Sequence, residues 1–112
     1  MIRVTFEENE KEGSISLKVK GHSGHAESGK DIVCSAASIL AYTVLQAMLL
    51  CADDLWKEPH FRMEEGDAEI TVYPKEARYG EVYHTFYVAE IGYGLLESNY
   101  PDHVKVNLFG KA

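Results

Sequence analysis

The chain has 112 residues, 46% of them hydrophobic, and a formal net charge of -7. That length suits one domain, residues 1–112, with a core large enough to fold without disulfide or metal staples. The acidity argues against a binder of nucleic-acid backbone, which needs clustered Lys and Arg, and it fits a basic partner.

Ile2, Val4 and Phe6 alternate with Arg3, Thr5 and Glu7, the pattern of a half-buried strand. The chain opens directly on this pattern, so no signal peptide is expected and a cytoplasmic location is the default. Glu8 to Gly13 is a polar turn. Ile15, Leu17 and Val19 alternate with Ser16, Lys18 and Lys20, giving a second strand and a hairpin.

Residues 21–30 then form a loop holding Gly21, Gly24 and Gly29 with His22 and His25. Glycines of this kind permit the loop to move over a substrate. A helix is predicted from Ile32 to Leu50, with Asp31 as its N-cap. Cys34 falls at the third helical position. Unpaired N–H groups and the positive end of the helix dipole favour a thiolate there. A histidine on a loop and a cysteine on a helix start form the layout of a nucleophile and its base.

These residues also carry a resemblance. Gly21-His22, then Gly29, Asp31-Ile32-Val33-Cys34 and Ala37-Ser38 resemble the signature of the ribosomal-processing cysteine proteases, the small bacterial Prp family. The resemblance implies a catalytic dyad of His22 and Cys34. The spacing between the two matches the family pattern. The family's usual Gly-His-Ala is Gly21-His22-Ser23 here. The resemblance further implies an endopeptidase that removes the N-terminal extension of a ribosomal large-subunit protein, cutting after two aromatic residues. It implies a homodimer; separately, no cofactor and no membrane partner are expected.

Other readings of the same residues stay open. Asp31 caps the helix or orients the histidine. Ser38, one turn after Cys34, sits beside the thiol or only packs. His25 competes with His22 as base. His22, His25, Cys34 and Asp31 are a conceivable metal set, against which their spacing argues. Cys34 can also be a packing residue of a non-catalytic ribosome-associated module, or a redox-sensing thiol. First-turn backbone N–H groups are the expected oxyanion donors. Cys51 reads as structural. It lies about 25 Å from Cys34 at ~1.5 Å per residue, so no bridge joins them. His60, His84 and His103 lie outside any cluster.

In the first helix, Val33, Ala37, Leu40, Val44, Ala47 and Leu50 or Cys51 form the expected core stripe, widened by Ile39, Leu45, Met48 and Leu49. The run Ile39 to Ala52, interrupted by Tyr42, Thr43 and Gln46, falls short of a membrane span. Asp53 to Pro59 is a linker with the lone tryptophan, Trp56. Phe61 and Met63 suggest a third strand. Ala68, Ile70 and Val72 mark a fourth, ended by Pro74. A second helix runs from about Arg78 to Ser98, with Val82, Phe86, Ala89, Tyr93 and Leu96 at helical spacing. Gly92 and Gly94 suggest close helix packing. Val104, Val106 and Leu108 are the last strand. The order β-β-α-β-β-α-β predicts an α+β fold: a five-stranded, mostly antiparallel sheet packed with two helices.

Overall fold

The computed structural model describes residues 1–24, 26 and 31–111, the last four of these by backbone alone. The elements are β1 (Ile2–Asn9), β2 (Ser14–Lys20), α1 (Ile32–Leu50), β3 (His60–Glu64), β4 (Asp67–Val72), α2 (Tyr79–Asn99) and β5 (Val104–Lys111). Short 3-10 turns at Ala52–Asp54 and Glu76–Arg78 precede β3 and α2. The order is the predicted one.

The strands lie in the order β3-β4-β2-β1-β5. β1 pairs antiparallel with β2, β2 with β4, and β4 with β3. β5 pairs parallel with β1, with Ile2 opposite Val104 and Val4 opposite Val106. These directions make β2 parallel to β3 and β4 parallel to β5. Each helix is therefore the crossover between two parallel strands, the connection such strands require.

The period-two patterns decide which face is covered. Ile2, Val4, Phe6, Ile15, Leu17, Val19, Ile70, Val72 and Val104 are buried in one cluster with residues of both helices. At this depth each large side chain contributes roughly 1.5–3 kcal/mol. The other face carries Lys20 and Arg62 paired with Asp67 and Glu69. Such exposed pairs are screened by solvent, so they tune the surface more than they hold the fold.

Val82, Phe86, Ala89 and Tyr93 of α2 are buried as the stripe predicts. Tyr93 is 0% exposed; its hydroxyl donates to the carbonyl of Ala37 at 2.8 Å, and its ring meets Phe6 edge-on at 5.9 Å. This bond ties α2 to the first half of α1. Gly92 lies against Leu40, where a Cβ would come within 2.9 Å of Cδ2, so close helix packing holds at this glycine. At Gly94 a Cβ would meet nothing within 4 Å.

In α1 the buried residues are Val33, Ala37, Ala41, Val44, Leu45 and Met48. This corrects the expected stripe. Leu40 and Ala47 are half-buried toward α2, while Ile39, Leu49 and Leu50 are exposed. The helix is apolar nearly all round, so periodicity could not choose its inner face. The same composition revises the membrane reading. α1 has 19 residues and a mean hydropathy of 1.8, long and apolar enough by length and composition to cross a membrane. Tyr42, Thr43 and Gln46 carry no charge and interrupt it less than expected. Here it packs as a core helix against the sheet and α2.

Cys34 and Cys51 are both free thiols, as their separation on one helix requires. Cys51 is exposed at the C-cap of α1, so it does not extend the core stripe. The strand directions bring the start of β1, the end of β2, the β3–β4 turn and the start of β5 to one end of the sheet. α1 starts at that end.

Candidate active site

The start of α1 is fixed by its own sequence. Asp31 is extended, and its Oδ1 accepts from the N–H groups of Val33 and Cys34, both at 3.0 Å. Its Oδ2 accepts from the Ser23 hydroxyl and from Ala26 N–H at 3.3 Å. Asp31 is 5% exposed. Burial opposes its charge, but the Ser23 hydroxyl and the N–H groups of Cys34, Ala26 and Val33 outweigh burial. They hold the carboxyl well below the usual range. Asp31 is thus the predicted cap and also an anchor of the preceding loop. It makes no hydrogen bond to His22 among the described residues.

That cap bears on which first-turn N–H groups can serve an oxyanion. The N–H groups of Val33 and Cys34 are already committed to Asp31, and that of Ser35 donates to the Asp31 carbonyl at 3.0 Å. Asp31, the residue that starts the helix, thus takes the N–H groups of Val33 and Cys34.

Cys34 is half-buried at the third helical position. Its Sγ accepts from Ser23 N–H at 3.4 Å. His22 is exposed, two residues beyond the end of β2. Gly21 N–H donates to the Gly66 carbonyl at 2.9 Å, which hangs the loop on the β3–β4 turn. Gly21 has φ +93°, and a Cβ there would lie 2.3 Å from the Met1 carbonyl oxygen, so only glycine fits this exit from the sheet.

His22 and Cys34 line one cavity of about 560 Å³. Asp31 and Ser38 line it too, with Ser38 exposed on the helix wall. Ala37, Ala41 and Tyr42 continue that wall, and Met63 to Ala68 form the opposite one. Tyr42 lines the cavity; Trp56 is 70% exposed and does not. Asp67 sits in the opposite wall, held charged by Arg62 and Lys20, which lower its carboxyl to about 2. His25 and Gly29 lie outside the described residues, so the metal set that needs His25 has no described geometry.

Two contributors escaped the sequence. His103 was placed outside any cluster, yet its Nδ1 lies 2.7 Å from the carbonyl oxygen of Ser23. Gly66 packs directly on the His22 ring. Both come from across the sheet, and no local signal marks either. His60 and His84 are exposed, as expected.

The fold has solved relatives. A ribosomal processing protease Prp from S. aureus, in complex with a covalently linked product peptide, matches with a TM-score of 0.72 at 20% identity. The match covers 96% of this chain and 99% of that one. The same protease with a substrate peptide matches with a TM-score of 0.69 at 19% identity, over 96% and 99% of the two chains. SMU.848 from Streptococcus mutans matches with a TM-score of 0.71 at 25% identity, over 100% of this chain and 96% of that one. No curated protein sequence matches. Residues 1–105 match the family model described as cysteine protease Prp, and the chain belongs to that family of cysteine proteases.

Proposed function

We propose that this cysteine protease removes the N-terminal extension of a ribosomal large-subunit protein, with Cys34 as nucleophile and His22 as its base. The observation that carries the reading is that His22 and Cys34 line one cavity with room for an extended peptide. His22 takes the thiol proton, and Cys34 Sγ bonds to the scissile carbonyl carbon. His22 then gives the proton to the leaving amine as the C–N bond breaks. Water, deprotonated by His22, hydrolyses the thioester and restores the thiol. In the structure the His22 ring rests on Gly66.

Asp31 supports this chemistry by holding the helix start and the loop together. Ser38 adds a hydroxyl to the cavity wall near the thiol. Glu64 and Glu65 of the facing wall suit a basic segment of the substrate, in keeping with the net charge. The protein acts in the cytoplasm, binds no nucleic acid directly, and works as a homodimer. Ile39 and Leu50 of α1 and Val88, Ile91 and Leu95 of α2 are 49–77% exposed and supply an apolar face for the second copy.

The substrate is tested with the full-length large-subunit protein carrying its extension, from the same source as this chain. Mass spectrometry of its N-terminus after incubation should show loss of the extension at one bond. An intact N-terminus with folded enzyme would sink this substrate.

A further inference from the structure

Ser23 follows His22 and is 2% exposed, and each of its polar groups is used. Its N–H donates to Cys34 Sγ at 3.4 Å. Its hydroxyl donates to Asp31 Oδ2. Its carbonyl oxygen lies 2.7 Å from Nδ1 of His103, which donates in the tautomer carrying a proton there. The peptide unit joining residues 22 and 23 is thus held on one side by the thiol. On the other, the His22 carbonyl accepts from the amino nitrogen of Met1.

We propose that Ser23 is a positioning residue: its bonds to Asp31 and His103 hold its own N–H on the Cys34 sulfur and keep the adjacent His22 at the cavity wall. A hydroxyl bonded to a buried, charged carboxylate is among the stronger neutral-to-ion contacts, and a buried hydroxyl without a partner is costly. The Asp31 contact binds the loop to the element that carries Cys34. The His103 contact binds it to the turn before β5, where Ile2 N–H donates to the His103 carbonyl at 2.8 Å. The loop is therefore held between the helix and the sheet, with Ser23 at the junction. Alanine at this position would keep the N–H but lose the link to Asp31.

The inference rests on the proposed His22–Cys34 pair for its catalytic consequence, but its geometry is read without substrate. The test compares wild type with Ser23→Ala, His103→Phe and the double variant. Amide hydrogen exchange at residue 23 is followed by NMR, with kcat and KM for a cleavable peptide beside it. Each single change should speed exchange at residue 23 about tenfold and lower kcat about tenfold, leaving KM within about twofold. The double variant should be little worse than the worse single one, since both changes release the same N–H. A lower melting temperature with exchange and kcat unchanged would make Ser23 merely structural and overturn the proposal. If Ser23→Ala does not fold, His103→Phe carries the same readouts, and its failure to change them is equally decisive. A wild type that cuts nothing while exchange responds as stated would sink the proposed activity and leave the positioning role standing.

Discussion

A Cβ on Gly66 would lie 2.7 Å from Nε2 of His22 and 3.0 Å from Cε1, so the imidazole occupies the space any side chain in that turn would need. Gly66 also has φ +72°, a conformation costly for other residues. Gly66→Ala therefore has two effects. The strained backbone should lower stability by about 1 kcal/mol. The ring, being the free end of a side chain, should yield and lose its resting place. The expected outcome is a fall in kcat of about tenfold with a modest drop in melting temperature. Peptide cleavage kinetics beside a thermal melt separate the two effects.

Asp31 gives stability with a definite pH dependence. Its carboxyl is held below the usual range, chiefly by the Ser23 hydroxyl and three backbone N–H groups acting against burial. Its contribution is present above the unfolded value of about 3.9 and is lost as pH falls through the lower folded value. Asn at this position can still accept from the Val33 and Cys34 N–H groups, but its amide nitrogen cannot accept from Ser23 or Ala26 and it carries no charge. Asp31→Asn should therefore cost about 1 kcal/mol at pH 7, and the difference from wild type should shrink below about pH 4. Urea midpoints at pH 7 and pH 3 measure this; a constant difference would contradict it.

Tyr93 joins the two helices through Ala37 and does not itself line the cavity. Removing its hydroxyl in Tyr93→Phe deletes the bond to the Ala37 carbonyl and keeps the ring against Phe6. The expected cost is about 1 kcal/mol of stability, seen as a shifted denaturation midpoint with an unchanged slope. Cleavage activity of the folded protein should stay at the wild-type level.

The exposed apolar side chains of α2 bear on the proposed dimer. Ile91 is 49% exposed and Leu95 61% exposed, one turn apart on the helix. Ile91→Glu with Leu95→Glu should convert a dimer to a monomer in sedimentation experiments and leave the monomer folded. A wild type that sediments as a monomer would contradict the dimer itself.

The local parts of this site were readable from the sequence because their chemistry is local. Asp31 caps the helix at the residue where N-cap preference places it, and Cys34 follows at the third position with no tertiary information needed. The strands were legible from alternation, whereas the two crossovers follow only from the strand pairing. His103 and Gly66 were not legible. They meet the loop only because β5 pairs parallel to β1 and β4 lies beside β2, and that register is set by the whole sheet. The inner face of α1 was misread for a related reason. Ile39, Leu49 and Leu50 are as hydrophobic as Ala41, Leu45 and Met48, and only packing distinguishes them. Which N–H groups serve the oxyanion was not legible either, and the residue that creates the helix start takes those of Val33 and Cys34.

The central claim is that Cys34 and His22 together cut a peptide bond. The most direct measurement is mass spectrometry of a peptide copied from the N-terminus of the ribosomal substrate, incubated with wild type, Cys34→Ala, His22→Ala and His25→Ala. The account predicts one cut by wild type and by His25→Ala, and none by Cys34→Ala or His22→Ala. Full cleavage by folded His22→Ala, or an intact peptide with folded wild type, would contradict it.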